Sequence, residues 1–149
     1  MTTREYLQQC TVRLNYGESQ GTGFFVAPGL ILTCAHVVEY AESNPINVFW
    51  KANNQTYTAK IETLLEYPID LALLKLEGDI PKHGCVDLDE REPKINQYLY
   101  IFGYPKAIGI DYSEGDSATF KYEGESFQKN VLLYNCLLYT SDAADEQQR

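Results

Sequence analysis

Gly21-Thr22-Gly23-Phe24-Phe25-Val26-Ala27-Pro28-Gly29-Leu30-Ile31-Leu32-Thr33-Cys34-Ala35-His36-Val37-Val38 is the stretch whose reading decides the fold. Phe24–Val26 and Leu30–Leu32 are short apolar runs rich in strand formers, and Pro28-Gly29 supplies a turn between them. This predicts a β-hairpin. At the end of its second strand the small residues Thr33, Cys34 and Ala35 deliver His36. Val37, Val38, Glu39 and Tyr40 then read as one helical turn. A histidine beside apolar residues is most often structural, so His36 needs a second element before it carries chemistry.

That element is Pro68-Ile69-Asp70-Leu71-Ala72-Leu73-Leu74-Lys75-Leu76, in which one acid stands at the mouth of a strongly apolar strand. A carboxylate there must be paired or hydrogen-bonded, because burying it alone costs several kcal/mol or more. An imidazole N–H is a natural partner. Such pairing fixes the ring's tautomer and stabilises the imidazolium formed when the ring takes a proton. His36 and Asp70 are therefore a candidate catalytic dyad.

At these residues the chain resembles the trypsin-like serine peptidases of the chymotrypsin fold, in particular their compact bacterial members. Gly21-Thr-Gly-Phe-Phe-Val, Leu32-Thr-Cys-Ala-His36 and Asp70-Leu-Ala-Leu-Leu-Lys-Leu match that family's strand, histidine and aspartate motifs in order. Tyr100-Ile-Phe-Gly-Tyr-Pro105 looks like the segment where the first barrel gives way to the second. The match spans roughly residues 10 to 135 and rests on several motifs in sequence. The resemblance implies an all-β fold, an antiparallel six-stranded barrel of the double-barrel type with its second barrel incomplete. It makes His36 the general base and Asp70 its orienting acid, with a protein or peptide as substrate and no cofactor or metal.

The 149 residues, 44% hydrophobic and 13% aromatic, supply a substantial core. A formal charge of −9 argues against a nucleic-acid backbone or an anionic membrane as partner. No run reaches membrane-span length, and the N-terminus lacks a signal-peptide core, so a cytoplasmic location is expected. Cys10, Cys34, Cys85 and Cys136 show neither Cys-x-x-Cys spacing nor a nearby His pair. Free thiols are the expectation, with no zinc site. Secreted animal relatives carry a Cys directly after the catalytic His, where this chain has Val37. That departure fits a reducing compartment.

In chain order, Thr11 to Asn15 reads as the first strand and Tyr16 to Gln20 as a loop. Ile46 to Lys51 is a strand, Asn53-Asn54 a turn, and Thr56 to Leu65 two strands or one bent strand. With the Asp70 strand, about six strands form a small antiparallel barrel. Residues 77–97 read as an irregular linker carrying little chemistry, and His83 within it as a solvated loop histidine. Residues 1–97 thus form the first barrel with its linker, and 98–135 open a second barrel. Its first strands are expected at Ala118 to Glu123 and Asn130 to Tyr134.

Gly115-Asp-Ser-Ala118 carries the right two residues for a family nucleophile, but Ala118 follows Ser117 where the family keeps Gly. Ser117 also precedes the second barrel's strands, whereas the family builds several of them before its nucleophile. Cys136-Leu-Leu-Tyr-Thr-Ser-Asp-Ala-Ala-Asp-Glu146 resembles a translated sequencing-library adapter, so residues 136–149 are expected to be a non-native tail. It follows that the natural frame breaks off near Asn135. The nucleophile is expected to be absent from the chain, with Ser117 the remaining candidate and Cys136 unsupported. The expected function is a serine endopeptidase represented by an inactive fragment. The alternative is a non-catalytic barrel serving as a protein-interaction module. Cytosolic bacterial members often carry further effector domains, and the resemblance leaves these open for a longer parent.

Overall fold

The computed structural model describes residues 1–41, 44–105 and 114–123, and the backbone of 138–140. Six strands close into one antiparallel barrel: β1 (Thr11–Tyr16), β2 (Ser19–Ala27), β3 (Leu30–Thr33), β4 (Ile46–Trp50), β5 (Gln55–Leu65) and β6 (Leu71–Leu76). Their order around the barrel is β1-β2-β3-β6-β5-β4. The period-two pattern sets which side faces inward. Val12, Leu14, Phe25, Ile31, Ile46, Val48, Trp50, Ala59, Ala72, Leu74 and Leu76 form one buried cluster. Each strand contributes alternate residues to it. Two bulges help to bend the sheet: the register shifts between Phe25 and Ala27 on β2 and between Ile61 and Thr63 on β5. The long run after Asn54 is therefore one bent strand.

The turn expectations hold at Pro28-Gly29, where Gly29 takes φ +70°, and at Asn53-Asn54, where Asn54 takes φ +55°. Between β1 and β2 the expected five-residue loop is shorter. Tyr16 pairs with Ser19 and Asn15 with Gln20, leaving Gly17-Glu18 as a two-residue turn.

An N-terminal helix, α1 (Thr3–Cys10), was not foreseen. Its signal was present: Thr2 caps the backbone N–H of Glu5, and the Glu5 carboxylate accepts the Thr2 N–H in return. The helix docks on the barrel through the Gln9 carbonyl, which accepts Trp50 Nε1–H at 3.0 Å.

A second sheet has the order β8-β7-β9, from β7 (Tyr98–Gly103), β8 (Asp116–Lys121) and β9 (Leu138–Thr140). β8 starts two residues before the strand expected at Ala118. The strand expected at Asn130 to Tyr134 lies outside the described residues. β9 belongs to the stretch 136–149, read above as a non-native tail. It pairs with β7 through Phe102 and Leu138, Ile101 and Tyr139, and Tyr100 and Thr140. Among the described residues no helix is long and apolar enough to cross a membrane.

Between barrel and sheet lies a second apolar cluster: Leu7 and Cys10 of α1, Val86, and Tyr100, Phe102 and Tyr104, with Phe24 and Val26 packed against it. Phe24 and Val26 alternate with the inward Phe25, so β2 serves the barrel core with one face and this interface with the other. Polar bonds set the interface register. Tyr104 N–H donates to Thr22 Oγ1 at 2.8 Å and Gln20 Nε2 donates to the Tyr104 and Pro105 carbonyls at 3.3 Å each, while within the barrel Thr33 Oγ1 donates to the Thr22 carbonyl at 2.8 Å. Burial pushes the Tyr104 phenol up to about 12. Among the described residues its hydroxyl finds no hydrogen-bond partner. A buried unsatisfied hydroxyl costs stability, so Tyr104→Phe is expected to raise unfolding free energy by about 1 kcal/mol. Urea denaturation of both chains checks this, and a loss of stability would reveal a partner for the hydroxyl.

Candidate active site

His36 enters the site from the end of β3, in the single helical turn α2 (Ala35–Val38). Cys34 and Ala35 are buried, so the chain enters this turn as part of the barrel wall. Val37 and Val38 anchor the turn in the barrel core. Close approach by β2 makes room: a Cβ on Gly21 would sit 2.6 Å from both Val37 methyl groups. Glycine is required there by packing, not by its backbone angles.

Asp70 enters from the opposite direction, in the turn between β5 and β6. The Ile69 and Asp70 N–H groups both donate to the Glu66 carbonyl, at 3.1 and 3.2 Å. Asp70 takes φ +57°, a left-handed conformation that Asp tolerates better than most L-residues. β6 pairs with β3, Thr33 opposite Ala72, so the turn before β6 meets the residues after β3.

The two side chains meet there. His36 Nδ1 lies 2.7 Å from Asp70 Oδ2, and the backbone N–H of His36 donates to Asp70 Oδ1 at 2.8 Å. Both carboxylate oxygens are thus engaged by one residue. An ionised carboxylate only accepts, so Nδ1 carries a proton and Nε2 keeps a lone pair when the ring is neutral. The side chain of Asp70 is 17% exposed and that of His36 is 48% exposed. The acid is sheltered, and the imidazole presents a basic nitrogen to whatever approaches from solvent. This arrangement can take a proton and stabilise the resulting cation.

Cys34 Sγ lies within 4.8 Å of the His36 and Asp70 ligand atoms. Cys34 is disulfide-bonded, so its sulfur is not a thiolate ligand. This corrects the expectation of free thiols, which holds at Cys10 and Cys85. Spacing along a chain does not reveal which sulfurs a fold brings together. Cys136 lies outside the described residues.

Ser117 sits elsewhere, within β8 and paired with Phe102. Arg4 Nη1 donates to its hydroxyl at 2.9 Å, and its own N–H donates to Asp116 Oδ1 at 2.9 Å. Gly115 takes φ +84° just before the strand, so the turn precedes Ser117 and does not present it. His83 is a further correction. It is half-buried against the barrel, its ring stacked on Phe25 with centroids 3.6 Å apart.

A family model described as trypsin-like peptidase domain matches residues 21–143. Two curated Arabidopsis thaliana proteins are similar. The one named protease Do-like 12, mitochondrial, is 34% identical over 96 residues, 63% of this chain and 19% of its own length. Protease Do-like 3, mitochondrial, is 33% identical over 90 residues, 60% of this chain and 16% of its own. The chain thus spans less than a fifth of either relative. Among solved structures, the Rv3671c protease of M. tuberculosis H37Rv matches at TM-score 0.58 and 22% identity, over 76% of this chain and 48% of that one. A human pathogenic astrovirus serine protease matches at TM-score 0.56 and 22% identity, over 76% and 61%. These two share the fold.

The geometry at Gly21 yields a direct test. Gly21→Ala pushes a methyl into Val37, the residue after His36, and overpacking of this kind costs about 1–3 kcal/mol. The expected result is a chain less stable by that amount, with altered His36 ring resonances. Unchanged stability and resonances would show that the turn has slack.

Proposed function

This chain belongs to the trypsin-like peptidase domain family, and from that premise we propose that it is the histidine- and aspartate-bearing part of a serine endopeptidase. His36 takes the proton of a serine hydroxyl at Nε2 while the serine attacks a peptide carbonyl, and returns it to the leaving amine. Asp70 holds the Nδ1–H tautomer and stabilises the imidazolium between the two steps. The substrate is the peptide bond of a protein or peptide.

The observation that carries this reading is the 2.7 Å contact between His36 Nδ1 and Asp70 Oδ2, with the second carboxylate oxygen bonded to the His36 backbone. A barrel serving only as an interaction module has no use for a histidine whose free nitrogen is turned outward. The serine is not Ser117 on this reading. That hydroxyl is held by Arg4 and lies within a paired strand, whereas the nucleophile needs a sharp turn with backbone N–H groups gathered as an oxyanion hole. On this reading a continuation of the chain in a parent protein supplies the nucleophile and oxyanion hole. The chain alone is then expected to hydrolyse no peptide.

Two assays test this. A fluorophosphonate probe, which labels activated serines, is expected to leave the chain unlabelled. Labelling at Ser117 would overturn the assignment. In a parent gene product that carries the continuation, Asp70→Asn is expected to lower kcat by about 10⁴-fold through the wrong tautomer, with KM little changed. If the substituted parent is as active as the unsubstituted one, Asp70 has no part in the mechanism.

A further inference from the structure

His83 lies in the linker between β6 and β7, far along the chain from the hairpin tip that it touches. Its ring stacks on Phe25, centroids 3.6 Å apart and planes 16° from parallel, and meets Trp50 edge-on at 6.3 Å. Nε2 accepts the backbone N–H of Gly29 at 3.0 Å. Nδ1 lies 2.8 Å from the Gly84 carbonyl oxygen. A backbone N–H only donates and a carbonyl only accepts, so the two contacts together fix a neutral ring protonated at Nδ1.

Gly29 cannot readily turn away. It takes φ +70°, the space where its Cβ would lie is filled by Ile80, and its own carbonyl accepts the Leu76 N–H at 2.9 Å. A proton added to Nε2 therefore faces a fixed N–H, and the Gly29 donor loses its acceptor. We propose that His83 is a proton-operated latch: neutral, it holds the inter-barrel linker on the tip of the β2–β3 hairpin, and protonated, it releases that contact.

The sign follows from the bonding. Docking is present while the ring is neutral and is lost when Nε2 takes a proton. Of the groups that face the ring, the Phe25 face and the Gly84 carbonyl favour the cation, but neither gives an Nε2 proton an acceptor. Cys85 Sγ lies 3.8 Å from Nδ1. On α1, Cys10 touches the Gly84 position, and burial keeps its thiol protonated to higher pH than usual. Phe25 and Trp50 offer rings from β2 and β4. The chain neighbour Lys82 is a cation, and among the described residues the ion pairs of Asp and Glu are with groups other than His83. The next tie along the linker, Val86 N–H to the Phe25 carbonyl at 2.9 Å, does not titrate. The latch is therefore local to residues 80–85 and the hairpin tip.

Amide hydrogen exchange of Gly29 in the full chain tests the latch. Between about pH 7.5 and pH 5.5, its protection factor, corrected for intrinsic rates, is expected to fall about fivefold. In His83→Gln the side-chain amide can accept from Gly29 at any pH, so protection is expected to stay flat. The proposal is overturned if wild-type protection is unchanged across that range, or if the variant shows the same fall. Should the variant not fold, ¹⁵N NMR of the wild-type ring decides: the latch requires the Nδ1–H tautomer at the higher pH, and an Nε2–H ring contradicts it.

Discussion

Residues 36 and 70 stand 34 positions apart, and the bond between their side chains, 2.7 Å long, fixes how the chain must run. The histidine has to leave β3 at the same end of the barrel at which the aspartate enters β6, so β3 and β6 must be antiparallel neighbours. They are, with Thr33 opposite Ala72. β3 and β6 are not consecutive in sequence, so β4 and β5 must complete the circuit and return to β1. The closed barrel is the arrangement that satisfies this pairing and also leaves no strand edge bare.

The same economy extends to single residues. β2 builds the barrel core with Phe25 and the inter-barrel contact with Phe24 and Val26, while Thr22 between two glycines binds both β3 and Tyr104. Glycine at 21 lets α2 settle and so determines where the imidazole points. The second sheet is held from the N-terminus as well. Arg4 donates to Ser117 and to the Glu114 and Gly115 carbonyls, and Lys51 pairs with Glu114 at 2.8 Å. Helix α1 thereby fastens the start of β8 to the first barrel.

Much of this was legible in the sequence because it rests on short-range patterns. The hairpin, its Gly29 turn and the apolar β6 are all set by alternation and turn chemistry within a dozen residues. The contact between His36 and Asp70 was legible because a carboxylate at the mouth of an apolar strand needs a partner, and His36 was the candidate at a strand end. What was not legible depended on distant contacts. Among these is His83, which reads as polar linker, yet its acceptor role toward Gly29 spans 54 positions. The state of the Cys34 sulfur is equally a property of the folded chain. Helix α1 is the exception, since Thr2 and Glu5 form a capping box at the head of an eight-residue segment with few apolar residues.

The central claim is that Asp70 holds the His36 ring with its proton at Nδ1 and Nε2 free. The direct measurement is ¹⁵N-edited NMR of the His36 ring in the intact chain at neutral pH. A far-downfield ring proton attached to Nδ1, beside an unprotonated Nε2, is the predicted result. A ring protonated at Nε2, or one exchanging freely between tautomers, would contradict the account.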